Sequence, residues 1–203
     1  MIIKTKYKLC RRLGVAIFEK CQTQKYTISE ARKSGNKRLK RRKIISEYGL
    51  QLLEKQKLRF AYGIREKQLA NYVAATLDSK ASNIAENLYT RLETRLDNVV
   101  YRLGIAPTRA MARQMVSHGH IMLNGKKTTI PSCKVKIGDV ISIRKESAGK
   151  IVFAELAEKI KELTLVKWLS FDLKKKEGKM IAAPVLEQQE IFDFKSILEF
   201  YGR

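Results

Sequence analysis

The sequence predicts an α+β protein with two contact surfaces on one scaffold, and three observations carry that prediction. Apolar residues recur at helical spacing between residues 46 and 117. Beyond His120 the pattern turns to alternation around an Asn-Gly pair, the signature of a β-hairpin. Positive charge gathers in two separate zones.

The charge excludes most bland readings. Against 42 Lys and Arg stand 20 Asp and Glu, a net charge of +22, which points to a polyanionic partner, either nucleic acid or an acidic membrane. Residues 1–43 hold 15 basic and 2 acidic side chains, and residues 91–150 hold 12 and 4. The segments 44–90 and 151–203 are nearly neutral, with 6 against 5 and 9 against 9. No apolar run approaches the roughly 18 residues of a membrane span, and the start lacks the apolar stretch of a secretory signal. A soluble, intracellular protein is expected. Cys10, Cys21 and Cys133 fit reduced thiols better than a disulfide framework.

Residues 1–43 read as an irregular basic extension, densest in "EARKSGNKRLKRRK", an arm suited to ordering on a phosphate backbone. Ser46 is placed to cap a helix that Gly63 ends. "REKQLANYVAATL" sets Leu69, Tyr72, Val73 and Leu77 on one helical stripe, and Asp78–Asn83 reads as a linker. "ENLYTRLETRLDNVVYRLG" predicts one continuous helix: Leu88, Leu92, Leu96, Val99, Val100 and Leu103 fall in an arc of about 120°. Arg91, Arg95, Asn98 and Arg102 gather in a second arc with no acid among them. A further helix starts at Thr108, burying Met111, Ala112, Met115 and Val116 and presenting Arg109, Arg113, Gln114 and Ser117. "HIMLNGKKTTI" then predicts a hairpin turning at Asn124-Gly125, and "KVKIGDVISI" another strand. "FAELAEKIKEL" reads as helix, "WLSFDLKKKEGKMIAA" as a hairpin around Glu177-Gly178, and "IFDFKSILEFYGR" as a terminal helix or strand.

Chemistry has few candidates. His118 and His120, the only histidines, flank Gly119, but the single nearby Cys133 leaves a metal site short of ligands. No phosphate-binding glycine loop, metalloprotease motif or nucleophile elbow occurs. Neither metal nor cofactor is expected. RNA binding accounts for more: a basic helix runs into a tight "SHGH" turn where Gly119 would admit a sugar–phosphate, beside Lys126 and Lys127.

"RLDNVVYRLGIAPTRAMARQMVSHGHIMLNGKK" closely resembles the RNA-binding domain named after small-subunit ribosomal protein S-four. "KLCRRLG", "SEYGLQLLEKQKLRFAYGI", "AENL", "IPSCKVKIGDVISIR", "WLSFD" and "LEFYGR" resemble the rest of that ribosomal family, bacterial or organellar type, in the family's order. The resemblance implies a protein that is not an enzyme. Its expected partners are small-subunit ribosomal RNA, bound early in assembly, neighbouring small-subunit proteins, and mRNA near its entrance channel, with an influence on decoding accuracy. No membrane and no small-molecule substrate are expected, and the location is the ribosome in cytoplasm, organellar matrix or stroma. The rivals are a free-standing RNA-modifying enzyme and a regulatory mRNA binder using the same domain.

Matching residue by residue, the resemblance implies RNA contact at Arg91, Arg95, Thr108, Arg109, Arg113, Gln114, Ser117, His118, His120, Asn124, Lys126 and Lys127, with Lys40, Arg41, Arg42 and Lys43 near the messenger path. Asn98, Arg102, Gly119, Gly125, Arg11, Arg12, Arg32, Lys33, Lys37 and Arg38 complete the expected contact set. Zinc-bearing relatives carry Cys-x-x-Cys where this chain reads Tyr7-Lys8-Leu9-Cys10, so zinc is not expected. Where many relatives have a Pro-Gly-Gln-His-Gly turn, this chain has "ARKSGNKRLKRR". The architecture this implies is a basic extension (1–43) and a mainly helical domain (44–90, completed by 185–203). Into it is inserted an α+β RNA-binding domain (91–184) of two short helices on a small, mainly antiparallel sheet.

Overall fold

A computed structural model of the protein describes residues 5–35, 45–79, 82–149, 165–172, 175–186 and 191–202. The chain divides into two units, residues 1–80 with 189–203, and residues 81–188.

The first unit is helical. α1 (Lys6–Leu13) ends where Gly14 turns left-handed, and a short 3-10 turn at Glu19–Cys21 leads to α2 (Gln24–Gly35). This corrects the expectation of an irregular extension over residues 5–35. The apolar residues there are few, but Cys10, Phe18 and Cys21 bury together with Leu9, Ala16, Tyr26 and Phe60 packed around them. So sparse a cluster leaves no long periodic pattern in the sequence. Residues 36–44, which hold most of the basic arm, lie outside the described residues.

α3 (Glu47–Tyr62) starts as expected: Ser46 accepts from the Gly49 amide, satisfying one of the first-turn donors. Gly63, at φ 63°, closes it. α4 (Glu66–Leu77) buries Leu69 and Val73, but Leu77 is exposed and Thr76 takes the inner position, its hydroxyl donating to the Tyr72 carbonyl at 2.7 Å. The "IFDFKSILEFYGR" segment is a helix, α9 (Phe194–Tyr201), capped by Asp193 and packed chiefly on α3.

In the second unit, the expected single helix is two. α5 (Ile84–Glu93), capped by Asn83, stops at Thr94, and α6 (Leu96–Arg102) begins after Arg95. All six predicted apolar residues are buried, so the periodicity was real while the continuity was not. The break has a tertiary cause. The Leu96 and Asp97 amides donate to the Cys133 and Pro131 carbonyls at 2.9 and 3.1 Å, and Val135 donates to Thr94 at 2.8 Å. A segment beyond α7, at Pro131 and Cys133, thus supplies acceptors for first-turn donors that a continuous helix would have spent internally.

α7 (Arg109–Ser117) follows, with Thr108 accepting from the Met111 amide at 3.1 Å. The sheet comprises β1 (Ile121–Leu123), β2 (Lys126–Lys127), β3 (Val140–Ile143), β4 (Leu169–Asp172) and β5 (Glu177–Met180), in the order β2-β1-β3-β5-β4 with every neighbour antiparallel. α8 (Lys145–Ala148) is a single turn after β3. Asn124 and Gly125 both have positive φ, 50° and 74°, as a two-residue hairpin turn requires. The second hairpin is also present, but Glu177 and Gly178 lie inside β5, not at its turn; Lys176 carries the positive φ. Gly178 serves packing instead, since a Cβ there would collide with Leu103, the residue that ends α6. One core joins α6, α7 and the sheet through Leu96, Val99, Leu103, Met115, Ile121, Ile141 and Met180. The "FAELAEKIKEL" segment lies outside the described residues.

Candidate nucleic-acid interface

The basic face of the second unit is built on acids. Glu93, fully buried at the end of α5, takes a forked ion pair from Arg102: Nε to Oε2 and Nη2 to Oε1, each 2.9 Å. Its Oε2 also accepts from Asn98 Nδ2 at 2.9 Å, and Asn98 Oδ1 accepts from Arg109 Nε at 2.8 Å. The Arg109 guanidinium lies 4.5 Å from the centre of the Tyr101 ring. Asp97 accepts two bonds from Arg95, at 3.0 and 2.6 Å, and stands 4.0 Å from Arg113 Nη1.

The arc of Arg91, Arg95, Asn98 and Arg102, expected to be open and acid-free, is therefore corrected. Arg95 and Asn98 are 1% and 2% exposed and spend their donors inside the fold. The break after α5 is the cause: it turns Glu93 inward and sets Asp97 beside Arg95. Arg91 is half-buried and donates to Asn87 Oδ1 at 3.1 Å. Arg102 keeps a side chain 26% exposed.

On α7, Arg109 and Arg113 are half-buried while Gln114 and Ser117 are exposed, opposite buried Ala112, Met115 and Val116. The His-Gly-His turn closes this helix. The Gly119 amide donates to Val116 O at 2.9 Å and the His120 amide to Met115 O at 3.0 Å, the paired bonds of a Schellman motif, with Gly119 at φ 71°. The space that a Cβ on Gly119 would occupy is taken by the Lys127 side chain, so this glycine brings the hairpin lysine onto the end of α7 instead of opening room for backbone. His118 is exposed; His120 is half-buried with Nδ1 2.9 Å from Ser147 Oγ. Their rings are 6.0 Å apart, edge to face.

Asn124 acts inward. Its amide donates to Asp139 and its oxygen accepts from the Val140 amide, both at 2.8 Å, pinning the hairpin to β3. Gly125, Lys126 and Lys127 are exposed, and β2 is an edge strand. In the first unit, Arg11, Arg12 and Arg32 are exposed on α1 and α2, with Arg11 pairing Glu30 at 2.5 Å; Lys33 lies in α2. Lys37, Arg38, Lys40, Arg41, Arg42 and Lys43 lie outside the described residues. Among the described residues, no group of three or more His, Cys, Asp or Glu is placed to hold a metal ion, and no helix is long and apolar enough to cross a membrane.

Sequence reasoning overlooked Glu93, Asp97, Tyr101, Asp139 and Ser147, the partners that hold the basic and amide groups. The one available signal was the interleaving of acid and arginine in "RLETRLD".

Two helices on a small antiparallel sheet, with arginines along one helix and lysines on the adjoining hairpin, define an RNA-binding module of the S4 type. Residues 94–141 match the S4 domain family, and residues 2–93 match the family described as the ribosomal protein S4/S9 N-terminal domain. The chain is 43% identical to the small ribosomal subunit protein uS4 of Syntrophomonas wolfei over 199 residues, spanning 96% of this chain and 95% of that protein. It is likewise 43% identical to uS4 of Halothermothrix orenii, over 97% and 96% of the two chains, and 39% identical to uS4 of Thermotoga petrophila, over the same shares. The chain belongs to the small ribosomal subunit protein uS4 family, a family of ribosomal proteins and not of enzymes.

Proposed function

We propose that this chain is a structural constituent of the small ribosomal subunit that binds its ribosomal RNA early in assembly and helps fold it. The observation that carries the reading is the α7 face. Arg109 and Arg113 stand one helical turn, about 6 Å, apart, and the helix ends where Lys127 lies over Gly119. Such a strip suits successive phosphates of one RNA strand, since guanidinium and ammonium groups bond phosphate oxygens and release counterions. Gln114, Ser117 and His118 lie along it as hydrogen-bond donors to sugar or base. Relatives matched over nearly their whole length are named as small-subunit proteins, which favours the assembled subunit as the place of action.

The same reading places neighbouring small-subunit proteins and mRNA at its entrance channel among the partners, with Lys40, Arg41, Arg42 and Lys43 near the messenger path and an influence on decoding accuracy. The setting is the ribosome in the cytoplasm, or its organellar counterpart. The test is co-sedimentation of the native protein in moderate salt. The expected outcome is comigration with small subunits and with assembly intermediates carrying few proteins. Recovery only in the soluble fraction rejects the proposal.

A further inference from the structure

A face that merely collects positive charge has no use for carboxylates beneath it. Each one weakens attraction to a polyanion and must be desolvated to be buried. Yet Glu93 is fully buried and Asp97 nearly so, directly under the arginines. The connections run across three helices. Glu93 on α5 holds Arg102 of α6 by both oxygens and orients Asn98 of α6, whose Oδ1 in turn holds Nε of Arg109 on α7. Asn98 cannot rotate away, because its Nδ2 is shared between the Glu93 carbonyl at 3.1 Å and its carboxylate at 2.9 Å. Tyr101 closes the other side of the Arg109 guanidinium. Asp97, tied to Arg95, lies within 4.0 Å of Arg113.

We infer that Glu93 and Asp97 are positioning residues for RNA recognition: Glu93 holds Arg102 and, through Asn98, Arg109, while Asp97 holds Arg95 and sets its charge beside Arg113, so that this face reads the shape of a folded RNA backbone instead of its charge density. The inference rests on the RNA-binding reading above. Its physical basis is preorganisation. The rotamer freedom that a loose arginine loses on binding has here been lost on folding, and a rigid fork bonds only phosphates that match its spacing. RNA of another shape meets the same charge without the same geometry.

E93Q raises the net charge by one and keeps the side chain's shape, so a charge-density surface would bind RNA as tightly as before or tighter. The expected result is at least ten-fold weaker binding to full-length small-subunit ribosomal RNA, with binding to poly(U) unchanged or tighter. A role confined to folding would lower both together. Retained or improved affinity for the ribosomal RNA, or an equal loss on both RNAs, overturns the inference. Should E93Q lack the wild-type circular dichroism spectrum, D97N decides. It too raises the net charge by one and keeps the shape of a buried side chain, while weakening the paired bonds to Arg95 beside Arg113, and the same divergence between the two RNAs is expected; wild-type binding of both, or an equal loss on both, overturns the inference. The double variant R109A/R113A separates this from the underlying reading. If it keeps full ribosomal RNA affinity, the RNA face itself is refuted; if it loses affinity while E93Q and D97N keep theirs, only the positioning role falls.

Discussion

Tyr201 Oη donates to Glu66 Oε1 at 2.7 Å, fastening the last helical residue of the chain to the first turn of α4. The same oxygen accepts from Lys55 Nζ at 2.7 Å, and Oε2 pairs with Arg59 at 3.2 Å. Lys55, itself buried, lies 4.2 Å from the centre of the Phe200 ring. One carboxylate thus joins α3, α4 and α9.

This junction sets an acid limit on the helical unit. Burial pushes the Glu66 carboxyl up, but the hydrogen bonds from Lys55 and Tyr201 and the charges of Lys55 and Arg59 outweigh it, and the group ends below its ordinary 4.5. A carboxyl depressed in the folded state contributes stability above its unfolded value and loses it as pH falls through the folded value. Urea melts of the wild type are therefore expected to weaken below about pH 4.5, and E66Q to be less stable at pH 7 but flatter across that window. Y201F is expected to cost about 1.5–3 kcal/mol at neutral pH, one hydrogen bond to a charged group.

Thiol reactivity gives a second check. Cys10 and Cys21 are buried, whereas Cys133 is half-buried. Burial pushes the Cys21 thiol up to about 12, with the Cys10 side chain adding to the rise, so it stays protonated and unreactive well above neutral pH. Titration of the folded protein with Ellman's reagent at pH 8 is expected to modify Cys133 first. Cys10 and Cys21 should follow only at the rate of unfolding, and rapid reaction of all three thiols would contradict the packing of α1 against the 3-10 turn.

What could be read from the sequence followed how local its cause was. Ser46, Thr108, Gly63 and the Asn124-Gly125 turn were legible because caps and tight turns depend on a few adjacent residues. The break between α5 and α6 was not, because its acceptors at Pro131 and Cys133 lie far along the chain and nothing at Thr94 or Arg95 forbids a helix. The site suffered the same way. A helical wheel puts Arg95 and Asn98 on an outer face, and only the broken helix brings Glu93 and Asp97 against them. The basic character of α7 survived because that helix is continuous, with its buried face set by Ala112, Met115 and Val116.

The α7 face makes a quantitative prediction in salt. If Arg109 and Arg113 each neutralise one phosphate, R109A/R113A should lower the slope of log affinity against log salt by about 1.4 to 1.8, at roughly 0.7 to 0.9 per contact. Filter binding to small-subunit ribosomal RNA over a range of potassium chloride concentrations measures it directly. A weaker affinity with an unchanged slope would mean that these arginines act on bases or on the fold and not on phosphates.

Gly119 links helix termination to the lysine edge, and its substitution should affect both. At φ 71° an alanine carries the left-handed strain of about 1–2 kcal/mol, and its Cβ must displace the Lys127 side chain. G119A is expected to lower the melting temperature of the second unit and to weaken ribosomal RNA binding several-fold. G119N should be less strained, since asparagine tolerates this backbone region better, yet it still intrudes on Lys127. The two effects therefore separate: strain ranks G119A as the less stable variant, whereas displacement of Lys127 ranks G119N as no better at binding RNA. Parallel thermal melts and binding assays on the two variants read both rankings. If G119N restored RNA affinity in step with stability, Lys127 would contribute nothing to the interface beyond its charge.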